Sequence, residues 1–356
     1  MIPMDIQHEK LAPTLVATVR RTVEQRAEIK DMLNELAREI PKEIIAGDPF
    51  CIFNFITSVQ DGHDVELGFP VSREIETDSL KTRVLPEIHV LSIIHRGEAE
   101  KLGETYGKLY SYAGEHGIIS DEFCREVYPF DAAQGKLGTG IQVQFVIHRW
   151  NDLLAKNLDR VLGKEGQQIV MQGSANLSIE SSVDDRFQWV RGMVERLNGL
   201  ADEHQKYDVL SSCAHVFPAD QIAKLETVYQ ETKTRTNDAM QAVDAVLEFM
   251  GSDPGWGGNL PIREGHVIYS TKAPRDPKGY ENAQDDLERR KAYCFCPLVR
   301  NHIGQGMPTT FCYCGAGWFR QQWEGAIGRP VTVEIVKSVL KGDDACQFAL
   351  QLPHDL

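Results

Sequence analysis

The 356-residue sequence has no run of about 18 or more apolar residues, the length a membrane-spanning helix needs. Its first stretch, MIPMDIQHEKLAPT, holds neither the basic cluster nor the apolar core of an export signal. A membrane partner and secretion are therefore not expected. Positive charge is also in short supply: 38 Lys and Arg stand against 52 Asp and Glu, a net charge of −14. Binding a polyanion needs clustered cations, so nucleic acid is not expected as a partner, and no basic recognition helix is present. The short basic groups Arg20-Arg21 and Arg289-Arg290-Lys291 sit among acids and read as solvated helix faces. Cys-x-x-Cys is absent, which removes the usual zinc knuckle. So are Gly-x-Gly-x-x-Gly after a strand, Gly-x-x-x-x-Gly-Lys-Ser/Thr, Gly-x-Ser-x-Gly and His-Glu-x-x-His, and with them the common nucleotide, serine-hydrolase and metalloprotease templates.

What the sequence does have is cysteine in an unusual arrangement. Five of eight cysteines fall between Tyr293 and Phe348, and four of them form two Cys-x-Cys pairs, Cys294/Cys296 and Cys312/Cys314. On an extended segment, residues i and i+2 share a face, so two such pairs on neighbouring strands would set four sulfurs around one soft centre, with zinc as the candidate cofactor. Cys213, His215 and Cys346 are the candidates to assist, and His302 lies between the pairs. Buried, inert thiols are the competing reading, and a cysteine nucleophile activated by a histidine is a third. Gly304, Gly306, Gly315 and Gly317 flank the cysteines and suggest tight turns. Thiols with no export signal fit a reducing cytoplasm.

The length predicts about two domains. In the first part, PTLVATVR (13–20) reads as a strand, 23–40 as an amphipathic helix, and FCIFNF and DVELGF as strands joined by a turn at Asp61-Gly62. A second unit repeats this order: a strand over 81–83 and 87–95, a helix over 100–115, then strands over 125–128 and 141–148. The expected fold class is α+β, a duplicated β-α-β-β ligand-binding domain over 1–150 followed by a second α+β, cysteine-rich domain over 205–356. Between them, 151–204 reads as a helical connection, with MQGSANLSIESS as the linker and the boundary near 165–182. In the last part, a strand is expected over 266–270 and a hairpin over 331–340 and 346–352. Trp256, in a Gly- and Pro-rich loop, and Trp318, on an aromatic helical stretch, are candidate ligand contacts.

The segments PTLVATVR, DVELGFPV, VLSIIHRG with YGKLYSYAGEHG, REVYPF and IQVQFVIHR together resemble the GyrI-like domain, which is also the effector-binding domain of multidrug-sensing transcription regulators. The resemblance spans about residues 11–150. It implies a cleft between the two halves that holds bulky, planar or cationic molecules, often with a buried carboxylate and aromatic walls. Some relatives are hydrolases of electrophilic compounds. Glu126, in REVY, is the matching carboxylate, and Tyr106, Tyr110 and Tyr128 are the matching walls. A carboxylate in an apolar cleft attracts an organic cation, and ring faces add cation–π contact. An exposed Glu126, and a Tyr106/Tyr110 pair that merely packs, are the plain alternatives.

The closing segment GWFRQQWEGAIGRPVTVEIVKSVLKGDDACQFALQL resembles the end of the four-vinyl-reductase type of small-molecule-binding domain. That resemblance implies a zinc site, to which Glu334 and Cys346 correspond, but Ser338 stands where the pattern has cysteine. More closely, SSCAHVFP, YCFCPLVR, FCYCGAGW and LKGDDACQF resemble an uncharacterised bacterial family over about 205–353, which implies no activity. The leading expectation is a cytoplasmic protein that binds or senses a small aromatic or cationic molecule, without a DNA-binding module. The alternatives are a hydrolase using Glu126, a thiol or metal enzyme using the cysteines, and a handler of soft metals. A homo-oligomer is left open.

Overall fold

The computed structural model describes residues 6–54, 63–77, 79–98, 101–116, 118–147, 150–178, 181–215, 217, 219–252 and 260–356. The chain divides into two compact units, Met1–Gly114 with Ser120–His148, and Glu115–Ile119 with Arg149–Leu356. Its fold class is α+β.

The first unit runs β1 (Ile6–Leu11), β2 (Thr14–Val23), α1 (Glu28–Glu39), β3 (Phe50–Asn54), β4 (His63–Pro70), β5 (Lys81–Leu85), β6 (Ile88–His95), α2 (Leu102–Glu115), β7 (Ser120–Val127), β8 (Phe130–Asp131), β9 (Lys136–Leu137) and β10 (Ile141–Ile147). Among the described residues, eight strands form one antiparallel sheet in the order β1-β6-β10-β7-β3-β4-β2-β5, and β8 pairs with β9. The duplication is visible in that order. Each half contributes a strand, a helix and two further strands, β2-α1-β3-β4 and β6-α2-β7-β10, and the halves join through their corresponding strands β3 and β7.

Local chemistry explains where this departs from expectation. Val23 stays on β2, buried and opposite His63, so α1 begins at Glu28 rather than at residue 23. Its Ile29, Leu33, Leu36 and Ala37 form the buried stripe that a 3.6-residue period demands. The strand expected across 81–95 is two strands separated by Pro86, which has no N–H to give a ladder. One half pairs with β2 and the other with β1 and β10. Arg20 lies on a strand, not a helix, and its guanidinium grips Asp64 on β4. Gly68 is required in β4 because a Cβ there would lie 2.6 Å from Thr18 Cγ2 and 2.7 Å from the Ala17 carbonyl.

The second unit runs α3 (Trp150–Val170), α4 (Val183–Leu200), α5 (Glu203–Ser211), α6 (Ala219–Thr236), α7 (Ala239–Ser252), β11 (Ile262–Glu264), β12 (Val267–Thr271), α8 (Pro277–Asn282), α9 (Asp286–Tyr293), α10 (Tyr313–Ile327), β13 (Thr332–Lys337) and β14 (Gln347–Gln351). Its strands form an antiparallel sheet in the order β11-β12-β14-β13, which includes the expected hairpin. The segment read as an interdomain linker lies inside this unit. It connects α3 and α4, whose Leu154, Leu158, Val170, Phe187, Val190 and Leu197 share one core. α4 starts on Ser182, whose hydroxyl caps Asp185 N–H, and α5 starts on an Asp202/Gln205 capping box. Gly304 and Gly306 do take the positive φ of turns, but Gly315 and Gly317 are helical. A Cβ on Gly317 would meet the Ser211 carbonyl oxygen at 1.9 Å, so that glycine lets α10 press against the end of α5. Among the described residues, no helix is long and apolar enough to cross a membrane.

Candidate functional site

The seam between the two halves of the first unit places the functional side chains. Cys51 on β3 stands opposite Glu126 on β7, and Phe53 stands opposite Cys124. On the other side of β7, Val143 and Phe145 of β10 face Glu126 and Cys124 in register. Because strand side chains alternate faces, all six residues share one face. Helix α2 packs Leu102, Tyr106, Leu109 and Tyr112 as its buried stripe.

Glu126 is 1% exposed. The Tyr106 hydroxyl donates to its Oε1 at 2.7 Å, and the Tyr128 hydroxyl donates to Oε2. The third donor is Arg26, from the turn before α1, with Nη1 2.8 Å from Oε1. Arg26 Nη2 donates to the Tyr106 oxygen at 3.3 Å, and Cys124 Sγ lies 3.2 Å from that same oxygen. The guanidinium carbon sits 4.3 Å from the Phe53 ring centre and 5.0 Å from that of Tyr106. The result is a carboxylate at the base of a cage with two aromatic faces, and a planar cation inside it. Hydrogen bonds to a charged partner are worth roughly 1.5–3 kcal/mol each, and an unpaired buried charge costs several kcal/mol, so these contacts are what make Glu126 tolerable there.

The electrostatics follow from burial. Burial first, and then the Glu126 carboxylate, push both Tyr106 and Tyr128 well above the usual phenol range, which keeps them as donors. Burial pushes the Cys124 thiol up to about 12 and raises Cys51 further. Burial is the largest single influence on Arg26 and works against its charge, but Glu126, Tyr106 and Cys124 together raise the guanidinium above its ordinary value.

The structure thus brings Glu126, Tyr106 and Tyr128 together. Tyr110 is 51% exposed and contributes only indirectly, packed edge-on over Phe145 with ring centres 4.5 Å apart. Trp318 belongs to the second unit, where it packs on Phe217. Trp256 lies outside the described residues. Sequence reasoning missed Arg26, Phe53 and Cys124. The signal for Phe53 and Cys124 was present in the alternation of FCIFNF and EFCREV, but nothing local marks Arg26 among its charged neighbours. A separate recess of about 530 Å³, walled in part by Ser92, His95, Arg96, Lys101, Thr105 and Lys108, also opens in this unit; Glu126 is not one of its walls.

The cysteine region of the second unit departs from the expected arrangement. Neither Cys-x-Cys pair lies on a strand. Cys294 caps the end of α9 and Cys296 follows it, while Cys312 is the N-cap of α10 and Cys314 is in its first turn. On a helix, two residues turn the side chain by roughly 200°, so the Cys312 and Cys314 sulfurs diverge. Cys312 Sγ lies 3.2 Å from Ser338 Oγ, whereas Cys314 Sγ accepts Trp150 Nε1–H at 3.4 Å. Cys213 is fully buried and accepts Asn157 Nδ2–H at 3.6 Å. His302 bonds Asp184 at 2.6 Å and stacks on Phe187, while the His215 carbonyl accepts from Gln321. Glu334 is exposed on β13, and Cys346 packs beside both cores of the unit. Among the described residues, no group of three or more His, Cys, Asp or Glu side chains is placed to hold a metal ion. Burial pushes Cys294 up to about 11 and Cys312 up to about 12, and raises Cys296, Cys314 and Cys346. The Lys272 ammonium, which lies 5.4–5.7 Å from the ring centres of Phe295, Phe319 and Phe348, opposes that rise at Cys294, Cys312, Cys314 and Cys346 without overcoming it.

No curated protein matches the chain. Among solved structures, it is similar to the EcmrR C-terminal domain, with 17% identity over 40% of this chain and 96% of that one, at a TM-score of 0.35. It is also similar to a hydrolase from Listeria innocua, with 7% identity over 40% and 91% at a TM-score of 0.29. SAV2435 bound to tetraphenylphosphonium shows 10% identity over 42% and 97% at a TM-score of 0.28. Residues 269–355 match a family of unknown function, DUF6144, and this match lends the four-vinyl-reductase resemblance no support. Residues 4–145 match the GyrI-like small molecule binding domain, so the first unit carries a domain of that kind.

Proposed function

We propose that the GyrI-like domain binds a small planar organic cation at Glu126. The observation that carries this reading is the Glu126 carboxylate, 1% exposed, paired with a guanidinium that lies over the Phe53 and Tyr106 rings, so that the cage already accommodates a planar cation. Charge selects a cation, and the ring faces select one with a delocalised, flat head. Tyr106 and Tyr128 hold the carboxylate oxygens in place, so the site is preorganised rather than assembled by the ligand. The eight free thiols suit a reducing compartment, which supports action in the cytoplasm.

The hydrolase alternative asks Glu126 to take a proton from water. Three donors already point at its two oxygens, which favours a binding role over a general base. Ethidium, a fluorescent planar cation, and a p-nitrophenyl ester distinguish the two. The binding reading expects the wild type to take up ethidium, Glu126→Gln to weaken that uptake, and ester cleavage to stay at background in both. Ester turnover by the wild type that is abolished in Glu126→Gln would replace binding with hydrolysis.

A further inference from the structure

The cage at Glu126 already contains a cation, and that cation is part of the chain. Arg26 places Nη1 2.8 Å from Glu126 Oε1, Nη2 3.3 Å from the Tyr106 oxygen, and its flat face 4.3 Å from the Phe53 ring centre. This set of contacts describes what the cage complements: in-plane N–H donors toward a carboxylate oxygen and a phenol, and a π face for an aromatic wall. Tyr128 donates to Oε2 and Tyr106 to Oε1, so the position that Arg26 takes is a second donor site on Oε1.

We propose that Arg26 is a resident, displaceable occupant of this cage, and that the ligands the cage takes are planar cations with N–H donors, namely amidinium or guanidinium heads on an aromatic or alkyl body. This rests on the cation-binding reading and deepens it. Displacement is cheap because of where Arg26 sits. Its side chain is 36% exposed, and it hangs from a turn in which Glu24, Gln25 and Ala27 are exposed. Ala27, the N-cap of α1, makes no side-chain cap bond. Arg26 can therefore swing into solvent while α1 keeps its buried stripe. A ligand that enters must replace the carboxylate and phenol bonds that Arg26 gives up, because the buried charge cannot be left bare. A head without N–H donors satisfies only the charge.

The consequence is competition within the chain. A ligand's apparent affinity is lowered by the fraction of molecules in which Arg26 holds the cage, and removing Arg26 removes that fraction.

The test measures dissociation constants of benzamidinium and of trimethylphenylammonium for the wild type, Arg26→Ala, Arg26→Gln and Arg26→Ala/Glu126→Gln. Benzamidinium is expected to bind Arg26→Ala at least about tenfold more tightly than the wild type, and to raise the melting temperature of Arg26→Ala more. In Arg26→Ala it should outcompete trimethylphenylammonium by at least about tenfold, and Glu126→Gln should cancel the gain. Arg26→Gln, which keeps the length and an amide donor without the charge, gives the same ordering if the alanine variant fails to fold. The proposal is overturned if losing Arg26 leaves benzamidinium binding unchanged or weaker, if the double variant binds as well as Arg26→Ala, or if the two probes bind equally. Ethidium separates the two levels of argument: if Glu126→Gln still weakens ethidium while Arg26→Ala changes nothing, only Arg26 displacement fails, and if Glu126→Gln has no effect, the parent reading fails.

Discussion

The Tyr106 hydroxyl is a relay: it donates to Glu126 Oε1 at 2.7 Å while accepting from Arg26 Nη2 at 3.3 Å, with Cys124 Sγ 3.2 Å away. Tyr106→Phe removes the hydroxyl and keeps the ring over the cage. The variant should lose about 1–3 kcal/mol of stability, because one oxygen of a buried carboxylate and one guanidinium N–H lose a partner together. Urea unfolding of the two proteins checks this. A loss below about 0.5 kcal/mol would mean that the relay does not support Glu126.

Alkaline pH should weaken the domain through Cys124. Its thiol, fully buried, is pushed up to about 12 from an ordinary value of 9.0, burial being the largest cause. A raised folded value means that the unfolded chain releases its proton first. The stabilisation is complete below about pH 9 and is lost as pH rises toward 12. Relative to Cys124→Ala, the wild type should lose about 1 kcal/mol more between pH 8 and pH 10. Parallel stability curves for the two proteins would show that Cys124 does not titrate as described.

Much of this arrangement is legible in the sequence, and what is not has a physical reason. The two β-α-β-β units follow from period-two and period-3.6 patterns, and REVY sets Glu126 and Tyr128 two apart, where one strand face and the residue beyond it converge. Arg26 was illegible because its partners are 80 and 100 residues away, brought close only by the β3·β7 seam. The cysteine pairs lie off the expected strands for a different reason. Spacing i, i+2 implies a shared face only on a strand, and Cys312 and Cys314 open a helix instead, where their sulfurs find Ser338 and Trp150. Proline explains the split of the 81–95 strand, and the edge strand β1 carries too little alternation to announce itself.

The cysteines of the second unit should behave as protonated, slowly reacting thiols. With Cys294 pushed up to about 11 and Cys312 to about 12, their ionised fraction at pH 8 is about a hundredfold to a thousandfold below that of a free thiol. Alkylation of the native protein with iodoacetamide, mapped by peptide mass spectrometry, should label both far more slowly than after denaturation. Labelling of either at the free-thiol rate would show a thiolate where burial is expected to prevent one.

The central claim is that Glu126 binds through its charge, and calorimetric titration of ethidium and of neutral phenanthridine into wild type and Glu126→Gln tests it most directly. The wild type should prefer the cation, and Glu126→Gln should weaken ethidium by about 1–3 kcal/mol while leaving phenanthridine nearly unchanged. Identical ethidium dissociation constants for the two proteins would contradict the account and remove Glu126 from the site.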